Sequence, residues 1–167
     1  MLDVLQAPDY QRVKSVVRGI HAEFGITEPP VNPVEISRSK GVSVVFVEFS
    51  GEANRISGFF DFEENMIYVN KHEFPLRQTF TVAHELGHAL LHQDWAASEQ
   101  YKILLRDSGY DGTDVYEKEA NAFAAHLLVP RFMLDKYWRG NSVESLSKLF
   151  AVSVPMIKNR LAFEYGV

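Results

Sequence analysis

The sequence contains no cysteine in its 167 residues, which excludes disulfide bonds and thiolate ligands for a metal. No apolar run approaches the roughly 20 residues that a membrane-spanning helix needs. The first ten residues lack a basic segment followed by an apolar one, so we expect no signal peptide. We therefore expect a cytoplasmic protein with no membrane contact, in which any metal site must use histidine and acidic side chains.

An excess of positive charge is missing as well. The 17 lysine and arginine residues are outnumbered by 22 acidic residues, which gives a formal net charge of −5. Because phosphate contacts need a basic surface, direct nucleic-acid binding is not expected. With 46% apolar and 23% charged residues, the composition is that of an ordinary globular protein, and the length fits one domain with at most a small appendage.

The apolar pattern predicts several helices. Helical spacing of apolar residues occurs in residues 10–24, 75–92 and 114–128, and shorter helices are predicted after Asn32 and within residues 141–165. Capping residues, prolines and glycines stand at the expected ends of these segments. The chain is therefore predicted to be rich in helix.

Three segments rich in β-branched and aromatic residues lie among the helical ones, at residues 42–49, 56–60 and 66–69. Turn residues separate them, so the sequence predicts a small, mostly antiparallel three-stranded sheet. The predicted fold class is α+β, with helices packed around this sheet. Residues 93–113 are weakly patterned apart from a short helix near 103–106, and such a stretch often forms the rim or lid of a site.

The helix over residues 75–92 carries the most specific chemical pattern, His-Glu-Leu-Gly-His at residues 84–88. Histidines four positions apart lie on one helix face about one turn apart, so both imidazoles can bind one ion. Glu85 points about 60° away from His88 around the helix, so its carboxylate can flank a water on the metal without being a ligand. Zinc lowers the pKa of such a water to roughly 7. The pattern therefore predicts zinc ligands at His84 and His88 and a general base at Glu85.

Gly87 is a second signal within this helix. A glycine in a helix interior costs about 1 kcal/mol relative to alanine. Its presence therefore indicates close packing, or clearance near the predicted site.

A catalytic zinc site needs a third protein ligand. In a continuous helix His92 lies about 12 Å along the axis from His84, which is too far to share an ion. Position 94 is Asp94, so the metzincin pattern with a third histidine ten residues after the first is absent. The third ligand is therefore expected from another segment.

The helix over residues 114–128 offers Glu117 and Glu119, which border its apolar face. Glu117 is predicted to complete a capping box with Asp114 and so has a structural role. Glu119 has no such role, and a charge at the border of a buried face needs a partner. We therefore favour Glu119 as the third ligand, with Glu117, His126 and other acidic residues left open.

Two segments of the chain, RQTFTVAHELGHALLH at residues 77–92 and EKEANAFAAHLLVP at residues 117–130, resemble the ImmA/IrrE family of zinc metallopeptidases. Residues 67–70 and 146–161 are also similar to that family. The resemblance covers about residues 30–165, and the two central motifs are specific. His126 stands where an acidic residue is expected.

The resemblance implies an assignment of each site residue. His84 and His88 are implied as zinc ligands and Glu85 as the general base. Glu119, in the Glu-Ala-Asn segment, is implied as a glutamate third ligand of the gluzincin kind. The resemblance also implies intracellular cleavage of a helix-turn-helix transcriptional repressor.

The sequence therefore predicts a zinc-dependent endopeptidase that hydrolyses a peptide bond in a cytoplasmic protein, with a helix-turn-helix repressor as substrate. Residues 1–140 are predicted to form the metallopeptidase domain, and residues 141–167 a C-terminal helical appendage with helix-turn-helix-like helices, packed on the same domain. The alternative is a non-catalytic metal-containing regulator or toxin–antitoxin component that acts by protein or DNA binding. Glu85 favours the enzyme, because a structural zinc site needs no carboxylate beside an open coordination position.

Overall fold

The computed structural model describes residues 7–98 and 114–167, and within them helices surround one small sheet. The predicted α+β class is confirmed. None of the described helices is long and apolar enough to cross a membrane. In chain order the elements are α1 (Tyr10–Glu23), α2 (Pro33–Ser39), β1 (Ser43–Val47), a 3₁₀ helix (Gly51–Arg55), β2 (Gly58–Asp61), β3 (Met66–Asn70), α3 (Pro75–Leu91), α4 (Gln93–Ala96), α5 (Val115–Leu128), α6 (Arg131–Tyr137), α7 (Val143–Phe150) and α8 (Val154–Tyr165).

The helices that were predicted and that lie within the described residues begin and end close to the predicted residues, whereas α4 and α6 were not predicted. Side chains cap the N-termini of five of them by accepting hydrogen bonds from backbone amides, which otherwise have no helical partner. The capping residues are Asp9, Asn32, Asp114, Ser142 and Ser153. Of the weakly patterned residues 93–113, the first form α4, whereas the short helix predicted near 103–106 and most of the predicted rim lie outside the described residues.

The sheet has three strands, as predicted, but the prediction that it is mostly antiparallel is wrong. The strand order is β1-β3-β2, and β3 pairs antiparallel with β2 and parallel with β1. The prediction assumed that strands adjacent in sequence also pair with each other. Instead, the connection after β1 crosses the end of β3 and places β2 on the far edge.

Asn70, the last residue of β3, holds this crossing connection. Its buried Nδ2 atom donates to the carbonyl oxygens of Asn54 and Ile56, in both cases at 3.0 Å. Gln78 of α3 in turn donates from Nε2 to the carbonyl of Asn70 at 3.1 Å. Because buried amides need such partners, Asn70 connects the crossing segment, the sheet and the first turns of α3.

α3 lies at the centre of the fold and packs against the sheet on one side and α5 on the other. Val82 and Leu86 are completely buried in this core. Gly87 faces Phe123 of α5, and a Cβ atom at position 87 would stand 3.1 Å from two atoms of the Phe123 ring. Gly87 therefore allows close packing of the two helices, which brings α5 against the histidine-bearing part of α3.

The C-terminal helices α7 and α8 contribute to the same hydrophobic core. Leu146, Phe150 and Ile157 are buried in it, and Arg160 donates from Nε to the carbonyl of Val129 at 2.9 Å. The division into domains at residue 141 and the helix-turn-helix-like character of these two helices stay predictions.

Candidate metal centre

The two predicted zinc ligands on α3 lie together. The imidazole rings of His84 and His88 meet edge to face with their centroids 4.9 Å apart. The side chain of His88 is completely buried, and that of His84 is 12% exposed. Together with Glu85 these histidines offer ligand atoms that all lie within 4.8 Å of one another. The pattern at residues 84–88 therefore forms a compact group that could hold an ion.

Glu117 of α5 lies against both histidines. Its Oε2 atom is 3.2 Å from Nε2 of His84, and its Oε1 atom is 2.8 Å from Nε2 of His88. Asp114 caps α5 by accepting from the backbone amide of Tyr116. The carboxylate of Glu117 thus faces the two histidines, although its predicted task was to complete the cap with Asp114.

Glu119, the favoured third ligand from sequence, lies away from this histidine pair. Its Oε1 atom is 2.9 Å from Nε2 of His92, and its Oε2 atom accepts from the backbone amide of Asp9 at 2.9 Å. The partner that a buried carboxylate at position 119 requires is therefore His92. The structure brings Glu117, and not Glu119, to the predicted zinc ligands.

His92 extends the pair to a row of three histidines (His84, His88 and His92), called here the histidine row. Its Nδ1 atom is 2.9 Å from Nδ1 of His88. Among the described residues, three hydrogen bonds involve the ring nitrogens of His88 and His92: one to Glu117, one between the two rings and one to Glu119. A neutral imidazole carries one proton, so two neutral rings supply two protons for three contacts.

Burial favours the neutral form of these two rings. Desolvation lowers the pKa of His88 to about 4, against the opposing effect of Glu117. Desolvation also lowers the pKa of His92, although Glu119 acts in the opposite direction.

At His84 and Glu117, which lie nearer the solvent, the charged forms are favoured instead. Burial lowers the pKa of His84, but the hydrogen bond to Glu117 and the nearby charge of Glu85 outweigh it, and the net shift is upward. Burial raises the pKa of Glu117, but its hydrogen bonds with His84 and His88 outweigh that effect and leave it well below the usual range. The hydrogen bonds with the two histidines therefore favour the ionised form of Glu117, which is the form that a cation would bind.

These observations fit a metal ion placed among Nε2 of His84, Nε2 of His88 and the carboxylate of Glu117. Atoms bound at about 2.1 Å to a tetrahedral zinc are roughly 3.4 Å apart, close to the 3.2 and 2.8 Å found between the carboxylate oxygens and the two nitrogens. His88 Nε2 would bind such an ion through its lone pair, and the two protons of the neutral rings would then suffice for the contact between the rings and the contact with Glu119. Two imidazoles and one carboxylate are a donor set that catalytic zinc accepts.

An open cleft of about 730 Å³ reaches this group. Its walls come from the start of β2, the N-terminal half of α3, α5, and the turn between α7 and α8. Among its lining residues are Gly58, Phe80, His84, Glu85, Glu117, Asn121 and Met156. Glu85, although only 7% exposed, thus lies on a wall that a ligand in the cleft can contact.

His126, which the sequence left open as a ligand, lies elsewhere. It lines an adjoining pocket that shares Phe80 and Met156 with the cleft, and its ring meets that of Phe163 edge to face at 5.6 Å. Burial lowers the pKa of His126 to about 4. The structure therefore does not bring it to the histidine pair.

Two aromatic residues, Trp95 and Tyr116, lie near the site, and of these Trp95 was not predicted. The ring of Trp95 lies 4.9 Å from that of His88 and stacks on Tyr116 at 4.6 Å. Tyr116 in turn meets His92 edge to face at 5.1 Å. The sequence signal that could have placed Trp95 near the site is its spacing of seven residues from His88, which corresponds to one face of a helix. This signal is weak, because α3 ends before Trp95.

Comparison with known proteins gives a consistent identification. The family Peptidase_M78, described as the IrrE N-terminal-like domain, matches residues 38–162. The radiation response metalloprotease IrrE of Deinococcus radiodurans is 37% identical over 106 residues, which cover 58% of this chain and 30% of that protein. The protein of the same name from Deinococcus deserti is 30% identical over 126 residues, which cover 73% of this chain and 42% of that protein. The chain thus spans less than half the length of either Deinococcus protein.

A phage protein and a solved structure are also similar. The uncharacterized immunity region protein 2 of Bacillus phage phi105 is 28% identical over 130 residues, which cover 77% of this chain and 75% of that protein. A Mycobacterium tuberculosis transcriptional regulator superposes with a TM-score of 0.63 over 91% of this chain and 46% of its own, at 18% identity, which shows likeness of fold alone. The resemblance to the ImmA/IrrE family is confirmed, and this chain belongs to the Peptidase_M78 family of metallopeptidases.

Proposed function

We propose that this chain is a zinc-dependent endopeptidase in which His84, His88 and Glu117 hold the ion and Glu85 is the general base. The observation that carries the proposal is the position of the Glu117 carboxylate, which spans the Nε2 atoms of both histidines beside an open cleft. Catalytic zinc sites combine three protein ligands of these types with a coordination position left for water or substrate. Glu117 contacts both histidines, whereas Glu119 contacts His92. These contacts support Glu117, rather than Glu119, as the third ligand.

Each residue has its own task in peptide hydrolysis. A bound zinc would polarise the scissile carbonyl and acidify a water. Glu85 takes the proton of the attacking water and passes it to the departing amine, as a positioned carboxylate does in general acid–base catalysis. Its charge raises the pKa of His84, which is consistent with a carboxylate held close to the ligand group. Glu85 also lines the cleft, so it can contact a bound peptide.

The shape of the cleft favours an extended segment of a protein as substrate. One wall is the start of β2, which lies at an edge of the sheet, and extended peptides bind proteins by pairing with edge strands. Phe80 and Met156 offer apolar surface for the side chains of such a peptide. We propose a cytoplasmic helix-turn-helix transcriptional repressor as the substrate, on the basis of the ImmA/IrrE membership.

The test is a cleavage assay with a candidate helix-turn-helix regulator, chosen from the genes next to that of this chain. Wild-type protein with zinc is expected to cut the regulator at a discrete site, detected as two fragments by mass spectrometry. A chelator should stop the reaction and added zinc should restore it. Glu85→Gln, which is nearly isosteric, should keep the zinc and the bound regulator but cut about 10²–10⁴-fold more slowly.

Glu64→Gln is the matched control, because Glu64 is an exposed glutamate that bonds to the hydroxyl of Tyr68 away from the cleft. It should cut like wild type. Cleavage by Glu85→Gln at the wild-type rate would show that another group is the base. If no variant cuts the regulator and all bind it tightly, the non-catalytic metal-containing regulator becomes the better interpretation.

A further inference from the structure

We infer that His92 and Glu119, called here the supporting pair, fix the ring of His88 in the tautomer and orientation that its metal-binding nitrogen requires. The inference rests on the proposed function, because it takes Nε2 of His88 as a ligand. It assigns positioning roles to two residues that the sequence analysis considered as ligands: His92, which was rejected because of its distance from His84, and Glu119, which was favoured.

A continuous series of polar contacts runs from His88 to the backbone of the N-terminal segment. Nδ1 of His88 is 2.9 Å from Nδ1 of His92, and Nε2 of His92 is 2.9 Å from Oε1 of Glu119. The other oxygen of Glu119 accepts from the amide of Asp9, also at 2.9 Å. Both oxygens of Glu119 therefore have partners, and the carboxylate is held from two sides.

The carboxylate at the end of this series sets the tautomer of both rings. An ionised carboxylate only accepts hydrogen bonds, so His92 carries its proton on Nε2 and directs it to Glu119. Nδ1 of His92 is then an acceptor, and it accepts from Nδ1–H of His88. Nε2 of His88 is left with its lone pair, which is the atom and the form that a metal ion binds.

The supporting pair is closed off from solvent. His92 is 4% exposed and Glu119 is 6% exposed. Tyr116 covers one ring of the series, and Trp95 lies 4.9 Å from His88. Because water has little access, the loss of one partner leaves a buried N–H group without an acceptor, which costs more than the same loss at a surface.

The helix end that carries His92 is also fixed by the first helix. Arg12 of α1 donates from Nη2 to the carbonyl of Leu91 at 3.2 Å, and the amide of His92 donates to the carbonyl of His88 at 2.9 Å. The start of α1 and the end of α3 therefore hold both ends of the contact series. The N-terminal segment contributes to the metal centre through Asp9 without offering a ligand.

The supporting pair acts through His88 and not on substrate. Neither His92 nor Glu119 is among the described residues that line the cleft. Partners that hold the second nitrogen of a metal-binding histidine typically change metal affinity by about 10–100-fold when they are removed. Metal affinity, and not cleavage alone, is therefore the quantity that the supporting pair should control.

The test measures zinc affinity by competition with a chromophoric chelator in wild type, His92→Phe and Glu119→Gln. Phenylalanine keeps a flat ring beside the aromatic neighbours but offers no acceptor to His88, and zinc affinity is expected to fall by about 10–100-fold. Glu119→Gln keeps the size of the side chain and removes its charge, and a smaller loss is expected. His21→Phe is the matched control, because it also removes a buried imidazole, bonded to the carbonyl of Leu127 at 2.9 Å, outside the histidine row.

A second readout separates positioning from a merely structural role. Thermal unfolding with and without zinc gives the stabilisation that the metal provides, which scales with its affinity. This stabilisation should shrink in His92→Phe, whereas His21→Phe should lower both transition temperatures and keep their difference. A structural role for His92 would give the same pattern as His21→Phe.

Unchanged zinc affinity in a folded His92→Phe variant would overturn the inference. If His92→Phe does not fold, as judged by circular dichroism, Glu119→Gln decides the matter, and wild-type affinity in that variant overturns the inference as well. Wild-type protein that binds no zinc contradicts the proposed function itself. Wild-type protein that binds zinc while both variants bind it equally well contradicts only the role of the supporting pair.

Discussion

Glu117 and Glu119 stand two positions apart on α5, and their carboxylates meet two different regions of the histidine row. Glu117 contacts His84 and His88 at the wall of the open cleft, whereas Glu119 contacts His92 in a region closed by aromatic rings. Their side chains are 17% and 8% exposed, respectively. Residue type alone therefore does not decide the task of these glutamates. In the proposed function the cleft side supplies the metal ligands and the general base, and the closed side would hold one of those ligands in place.

The difference between the cleft side and the closed side is tested most strongly by variants that change only one of them. Glu85→Gln, on the cleft side, should slow cleavage by about 10²–10⁴-fold at every zinc concentration. Glu119→Gln, on the closed side, should slow cleavage at limiting zinc and approach the wild-type rate once zinc is saturating, because it does not contact substrate. The measurement is the initial rate of cleavage as a function of zinc concentration. A rate for Glu119→Gln at saturating zinc as low as that of Glu85→Gln would remove the distinction between the two sides.

The histidine pair and the helix that carries it were predictable, because the spacing of His84 and His88 on one face depends only on helix geometry. The choice between Glu117 and Glu119 was not. The capping-box rule is local and assigned Glu117 to the start of α5, whereas its actual contacts come from another helix. The partner of Glu119 is His92, and their pairing depends on how α3 packs against α5, which the sequence pattern does not give.

In the sheet, too, local sequence rules miss contacts that distant segments make. The positions of all three strands were predictable from β-branched and aromatic residues, but their order was not. A local rule pairs neighbouring strands, and the parallel pairing of β1 with β3 depends on how the connection after β1 crosses the sheet end. That crossing is held by the side chain of Asn70, whose role appears only once the strands are in place.

The cleft side and the closed side both depend on the contact between α3 and α5, so a change at this contact should lower the stability of the whole fold. A Cβ atom at position 87 meets the ring of Phe123 at 3.1 Å, whereas one at Gly19 of α1 meets nothing within 4 Å. Gly87→Ala should therefore lower the free energy of unfolding by about 1–2 kcal/mol, since overpacking outweighs the gain in helix propensity. Gly19→Ala should raise it by up to about 1 kcal/mol. Urea unfolding of the metal-free proteins measures both, and equal gains would contradict the close packing.

A partly buried histidine outside the histidine row sharpens the comparison, because His126 lies on α5 without a carboxylate in contact with its ring nitrogens among the described hydrogen bonds. Burial lowers its pKa to about 4, Arg160, Lys14 and His21 act in the same direction, and Glu164 opposes them. Since this pKa lies below the ordinary value of about 6.5, the unfolded chain takes up the proton first. The stability contribution is therefore complete above about pH 6.5 and is lost as the pH falls towards 4.

The corresponding measurement is urea unfolding of metal-free protein at neutral pH and near pH 5. Wild type should lose about 1 kcal/mol more than His126→Gln over this interval, after allowance for the partial exposure of the side chain. The other histidines are present in both proteins, so the difference isolates His126. Equal losses in the two proteins would mean that His126 titrates normally in the folded state.

The zinc content of Glu117→Ala and Glu119→Ala tests most directly that the two glutamates have different tasks. Both proteins are loaded with zinc, dialysed and measured by elemental analysis beside wild type, with circular dichroism to confirm folding. Glu117→Ala should lose its zinc, because it lacks a ligand, whereas Glu119→Ala should still take up stoichiometric zinc when the metal is in excess, with weaker affinity. Full zinc in Glu117→Ala together with complete loss in Glu119→Ala would contradict the account and make Glu119 the third ligand.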